Sequence, residues 1–400
     1  MTGTEEGAGE AEGARDYSLW QLTRYFLKLG SIGFGGPVAL VGYMRRDLVD
    51  RRRWVSRSEY DVGLALAQLA PGPLAAQLGF YLGFLDYRVV GATLVGLAFV
   101  LPSFVMVVAA GVAYVHYGGL PWIQAVFYGV GAAVIGIIAY HAYRLTANTI
   151  SRDWLLWVIH LVIAGVTVVT ESERVELFLG AGILVWLVRA PPRGAWRRIR
   201  ARLPSVLAWP MGMALAQAAP AGSTSFLTIA AFFAKAGAFV FGSGLAIVPF
   251  LYAGVVQEHG WLTDEQFIDA VAIALITPGP VVITTGFIGY LVRGFPGAVV
   301  AAVATFLPAY LLTIFPAPYF KKYGSRPAIA AFVKGITAAA IGAISGAVVV
   351  LGRRSVVDLP SALVAAAALG ALLAGRGKVP EPAVVLVAAA IGLVVYPLVG

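Results

Sequence analysis

Two Pro-Gly-Pro tripeptides could do chemistry in this chain, and the chemistry is anion binding by backbone. The first lies in Gln68-Leu69-Ala70-Pro71-Gly72-Pro73, and the second, 207 positions on, in Leu275-Ile276-Thr277-Pro278-Gly279-Pro280. Proline cannot complete a helical hydrogen-bond ladder, so each tripeptide should break a helix inside an apolar run. Backbone groups freed at membrane depth survive only beside a cavity or packed protein. The N–H groups after Pro73 and Pro280 would open new half-helices whose positive dipole ends can face an anion. Glycine turns at Gly33, Gly35 and Gly36, and at Gly242 and Gly244, let backbone approach a ligand closely and form an N–H nest. Lys28 and Lys235 would supply balancing charge, with further hydrogen bonds from Ser31, Gln68, Gln77, Ser243, Thr277, Thr284 and Thr285. The competing reading is that such glycines and prolines serve close packing and kinks, and that the lysines snorkel to headgroups. Duplication of the whole set favours a site.

The remaining polar residues offer little else. His116, His141, His160 and His259 show no metal-ligand spacing, and with no cysteine there is no thiolate ligand, so no metal and no cofactor is expected. Asp61 and Asp269 lie near the starts of the two Pro-Gly-Pro elements, where an acid suits a helix N-terminus; capping is the default reading and coupling-ion binding the alternative. No P-loop, paired carboxylates within a span or Ser-His-Asp arrangement is present, which argues against an enzyme and against ATP as a driving force.

The elements that must position these residues are membrane helices. Of 400 residues, 60% are hydrophobic and only 12% charged, about half the charged fraction of a soluble domain. Apolar runs without strand-like alternation indicate an all-α polytopic membrane protein. The formal charge of +9 reads as orientation signal rather than a nucleic-acid footprint, because arginines cluster between the apolar runs. Residues 1–17 read as a disordered acidic cytoplasmic tail, 18–188 as a first repeat, 189–225 as a basic linker with a linking span, and 226–399 as a second repeat. The register is continuous: Phe26, Lys28, Gly30, Phe34, Gly35 and Trp54 match Phe233, Lys235, Gly237, Phe241, Gly242 and Trp261. Charge separates the copies. The loop from Arg45 to Arg57 holds six arginines, whereas its counterpart at 253–264 has Glu258 and Asp264 and no Lys or Arg, which predicts an inverted-topology repeat. The charge pattern then requires both broken elements of each half to be hairpins that enter and leave on one side, with four full spans per half. Arg353 and Arg354 do not fit that scheme.

Phe26 to Pro37, Gly42-Tyr43, Arg53-Trp54 and Gln68 to Gln77 resemble the first half of the chromate ion transporter family, and Phe239 to Gly244, Pro249, Gly260-Trp261-Leu262 and Thr277 to Pro280 resemble its second half. The chain departs from many members at Leu40 and Leu245, where they carry histidine. The resemblance implies a two-domain inner-membrane protein that exports chromate, with sulfate as a structural analogue. The expectation is therefore a secondary transporter in the bilayer, its anion held between the two Pro-Gly-Pro half-helices. A sulfate or small-anion importer or exchanger and a passive anion channel are the alternatives. A homodimer stays open.

Overall fold

A computed structural model describes residues 17–34, 36–171, 175–191, 224–240, 244–323, 326–375 and 379–399. The tail at 1–16, the stretch at 192–223 expected to hold the linking span, and Gly35, Gly242 and Ser243 lie outside the described residues.

The described chain is helical throughout. The first half comprises α1 (Leu19–Ile32), α2 (Gly36–Met44), α3 (Arg57–Leu69), α4 (Leu74–Tyr117), α5 (Pro121–Thr149), α6 (Trp154–Thr170) and α7 (Val175–Arg189). The second comprises α8 (Phe226–Ala238), α9 (Ile247–Tyr252), α10 (Asp264–Ile276), α11 (Thr284–Ile314), α12 (Ala317–Tyr323), α13 (Pro327–Ser355), α14 (Leu359–Ala374) and α15 (Glu381–Val399). Among the described residues, five helical stretches are long and apolar enough to cross a bilayer.

The repeat recurs in the smallest local devices. Ser18 caps α1 and Ser225 caps α8; Ser56 and Glu59 form a capping box on α3, as Thr263 and Gln266 do on α10. The hairpin α1–α2 runs on into a π-helical turn at Arg45–Arg51, and α9 runs into one at Ala253–Glu258. α4 turns sharply at Arg88, and α11 at Arg293 and Gly294.

The hairpin geometry follows from a few contacts. Tyr17, just ahead of α1, stacks on Trp54 at 5.1 Å and hydrogen-bonds with Asp86 and Tyr87, so both hairpins of the first half begin and end on one face. In the second half Arg293 bonds the Thr224 carbonyl and lies 4.8 Å over Phe226, which closes the same arrangement on the other face. Between these faces α4 and α11 run antiparallel: Thr93 meets Tyr310 at 2.5 Å near one end, and Gly111 abuts Tyr290 near the other. From Arg88 to Tyr117 the helix rises about 43 Å, enough to traverse a bilayer. α12 packs against α3 on the arginine-rich face. The two halves are inverted.

The misfit at Arg354 has a local explanation. Its guanidinium donates to both oxygens of Asp264, at 2.9 and 2.8 Å, and to Glu171 Oε2 at 2.5 Å, which also accepts from Gln257 Nε2 at 2.9 Å. These charge-assisted bonds hold Arg354 on the face that the arginine pattern assigns to the outside. Cysteines introduced as Asp50→Cys and Gln257→Cys on this cysteine-free chain are expected to react with an impermeant thiol reagent from opposite sides of sealed vesicles; labelling from one side would refute the inversion.

Candidate functional site

Each Pro-Gly-Pro turn is bonded to the break after the first helix of the other half. The Gly72 N–H donates to the Val240 carbonyl at 2.6 Å, and the Gly279 N–H donates to the Gly33 carbonyl at 2.9 Å. Gly33 and Val240 both follow the last turn of a half's first helix, and the 207-residue register that relates Gly72 to Gly279 also relates Gly33 to Val240. The two hydrogen bonds are therefore one contact repeated by a pseudo-twofold axis. Both glycines need their residue type here, with φ of +142° at Gly72 and +100° at Gly279.

After each turn a half-helix begins without a side-chain cap. Pro73 precedes α4, and Pro280 precedes a short turn at Val281–Ile283 that leads into α11. Leu74, Ala75 and Ala76, and Val281 and Val282, are buried, and their N–H groups have no hydrogen-bond partner among the described residues. Buried donors are normally paired, so these two sets are candidate donors for an acceptor. Gly244 stands against the second set, with space for a Cβ only 3.5 Å from Val281.

The carbonyls of the turns are satisfied asymmetrically. Gln77, fully buried, donates from Nε2 to the Pro71 carbonyl at 2.8 Å, and its Oε1 has no partner among the described residues. The Pro278 carbonyl accepts instead from Ser103 Oγ at 2.7 Å. Both donors lie on α4, so one helix of the first half holds both turns.

Of the residues singled out in the sequence, Gly33, Pro71, Gly72, Pro73, Gln77, Gly244, Pro278, Gly279 and Pro280 come together here. Thr277 and Thr284 are adjacent, but their hydroxyls return to the carbonyls of Ile273 and Val281 at 2.7 Å. Ser31 likewise bonds its own helix at Leu27, Gln68 is exposed, and Gly36 faces Glu381. Lys28 is exposed on α1, whereas Lys235 is half-buried with Nζ 5.7 Å from the Phe250 ring centre. Sequence reasoning did not find Ser103 or the Val240 carbonyl. The signal for Ser103 was available, since Leu101-Pro102-Ser103-Phe104 matches Leu307-Pro308-Ala309-Tyr310 once the register shortens to 206.

A cavity of about 940 Å³ opens between the start of α10, the end of α4 and the start of α5 on the face that carries Arg354. Tyr114, Phe127, Trp261, Asp269, Leu291 and Arg354 are among its walls. At its rim Tyr128 donates to Asp358 at 2.6 Å; Ser361, and after it Tyr128, hold the Asp358 carboxyl below the usual carboxylate range. Asp269 thus does not cap its helix. Thr263 does, and Asp269 lies buried more than a turn further in.

An inverted repeat of helical hairpins crossing at broken segments defines a membrane transporter architecture. A family model described as chromate transporter matches residues 20–186 and 227–393, and the chain belongs to that family. It is 62% identical to the chromate transport protein of Cupriavidus metallidurans over 98% of this chain and 96% of that one. It is 63% identical to a probable chromate transport protein of Synechococcus elongatus, covering 95% of this chain and 96% of the other. It is also 33% identical to the chromate transport protein of Pseudomonas aeruginosa, covering 94% and 92%. No solved structure matches the chain.

Proposed function

We propose that this chain is a secondary transporter that exports chromate, or a related tetrahedral oxyanion such as sulfate, across the inner membrane, with the anion held between the two Pro-Gly-Pro half-helices. The observation that carries the reading is the pair of uncapped, buried half-helix N-termini at the crossing of the two halves. A dianion leaving water needs opposing charge and several donors, and fixed N–H groups with the positive ends of two dipoles provide donors without their own desolvation at the moment of binding. The names of the relatives in Cupriavidus and Synechococcus point to chromate as the oxyanion.

With the Arg45 to Arg57 loop cytoplasmic, the cavity beside Arg354 opens to the outside, and alternating access proceeds by rocking of one half's hairpins against the other's. The lysines supply balancing charge unequally. Lys235 is half-buried in the last turn before its break, so it acts through a drier path than exposed Lys28.

The test is flux of radiolabelled chromate and sulfate in proteoliposomes of known orientation. Saturable chromate flux that sulfate inhibits, favoured in the outward direction, is the expected result. Lys235→Ala should lower it by at least about tenfold and Lys28→Ala by less, following the difference in screening. Absence of flux of either anion under every imposed gradient would overturn the reading, and currents far above carrier turnover would replace the carrier with a channel.

A further inference from the structure

The anion site does not use the buried carboxylate in the outer cavity. Asp269 is 7% exposed, the only carboxylate among the described residues to be buried. Its Oδ2 accepts from the Tyr114 hydroxyl at 2.7 Å, across from α10 to α4. The Tyr114 ring is itself fixed edge-on against Phe127 at 5.5 Å and Phe287 at 5.6 Å, so the donor is positioned rather than free to follow solvent.

Among the described residues, what surrounds Asp269 contains no free cation. Arg354, from α13, lines the same cavity but is held by Asp264 and Glu171. Glu265 lies one turn earlier on α10 itself. α5 contributes Gln124 and Tyr128, the latter bonded to Asp358; α15 contributes Tyr396, whose ring lies 5.4 Å from that of Tyr128; α11 contributes apolar Leu291. From the loop before α10, Trp261 faces the cavity with His259 stacked behind it at 4.4 Å. An ionised carboxylate in such a place has only one hydroxyl to answer it, and the smallest charge that balances it is a proton. A metal cation would need an oxygen cage, and among the described residues no group of three His, Asp or Glu is placed to form one.

Asp269 is also mechanically connected to the crossing. It lies on α10 eight residues before Thr277, about 12 Å along the axis, and the next carbonyl on, Pro278, is the one that Ser103 of α4 grips. Tyr114 and Ser103 thus hold, from one helix, α10 and the turn that follows it.

We propose that Asp269 is the proton-binding site that couples the outer cavity to anion movement. In this conformation the carboxylate takes a proton from cavity water, hydronium giving water, and its bond to Tyr114 keeps α10 docked on α4. When α10 moves with the second half's hairpins, the proton leaves toward the opposite face, so protons moving inward exchange for anion moving outward. This rests on the oxyanion-carrier reading above, but one of its tests does not.

Full-length protein in proteoliposomes is treated with dicyclohexylcarbodiimide, which reacts with protonated carboxyls in apolar sites, from about pH 5 to about pH 9. The adduct is expected on the peptide carrying Asp269, decreasing as pH rises and absent in Asp269→Asn. Chromate accumulation driven by an imposed pH gradient should fall by at least about tenfold in Asp269→Asn, while labelled chromate exchange at equal pH stays within about threefold of wild type, and Asp269→Glu should recover the pH-driven component. Full pH-driven accumulation in Asp269→Asn, or no adduct on Asp269 at any pH, overturns the proposal. Adduct formation in a protein that exchanges no chromate supports the proton site and overturns the oxyanion reading instead.

Discussion

Gly279→Ala is expected to abolish transport, while Gly260→Ala leaves it near wild type. Both glycines have positive φ, +100° and +58°, so an alanine at either carries backbone strain of about 1–2 kcal/mol. They differ in what the new methyl meets. At Gly260 nothing lies within 4 Å, whereas at Gly279 a Cβ would stand 2.0 Å from Ser103 Oγ and 3.5 Å from the Gly30 carbonyl oxygen. The hydroxyl must then swing off the Pro278 carbonyl, which leaves a buried acceptor unpaired at about 1–3 kcal/mol on top of overpacking of similar size. Gly72→Ala should behave alike, since its Cβ would fall 2.6 Å from Ala309 Cβ and 2.7 Å from the Gln77 carboxamide. Chromate flux per reconstituted protein checks the set, with thermal unfolding alongside. Equal flux in Gly279→Ala and Gly260→Ala would mean that the crossing tolerates displacement and does not hold the anion.

The sequence carries the breaks and the duplication because both are written in residue types: proline and glycine interrupt helices wherever they fall, and the motif spacing repeats. It carries the hairpins and the inversion through the placement of arginines. It does not carry the bond from Gly72 to Val240, because that contact uses two backbone atoms 168 residues apart and leaves no side-chain signature. Arg354 looked misplaced for a related reason. Its partners Asp264 and Glu171 are 90 and 183 residues away, and a charge rule counts an arginine without seeing what holds it. Gln68 and Gln77 were indistinguishable as candidates, yet one is exposed and the other fully buried. Gln68 falls in the last turn of α3 and Gln77 in the first full turn of α4, where the side chain can reach back to the Pro71 carbonyl that its own break has freed. Lys28 and Lys235 occupy equivalent positions but different surroundings, because the bundle packs around the two first helices unequally.

The pseudo-twofold axis allows a rescue experiment. Gln77→Leu keeps the volume of a fully buried side chain but removes the donor to the Pro71 carbonyl, leaving a buried acceptor unpaired at about 1–3 kcal/mol. Flux should fall severalfold to about tenfold, as expected when a group that fixes the binding geometry is loosened by that amount. The symmetry-related carbonyl, Pro278, is served differently, by Ser103 at 2.7 Å, and the residue that matches Ser103 in the second half is Ala309. The match is geometric as well. Ser103 Cβ lies 3.2 Å from where a Gly279 Cβ would sit, and Ala309 Cβ lies 2.6 Å from where a Gly72 Cβ would sit. A hydroxyl added at position 309 would therefore stand beside Pro71 as that of Ser103 stands beside Pro278. Ala309→Ser in the Gln77→Leu background is expected to restore most of the flux, with little effect of its own in the wild-type background, where Gln77 already occupies the acceptor. Recovery would show that the two turns perform one function from opposite sides of the axis. Failure to recover, with both variants folded, would show that the Gln77 carboxamide acts through its unpartnered Oε1 rather than through the Pro71 carbonyl, and the symmetric account of the site would be wrong.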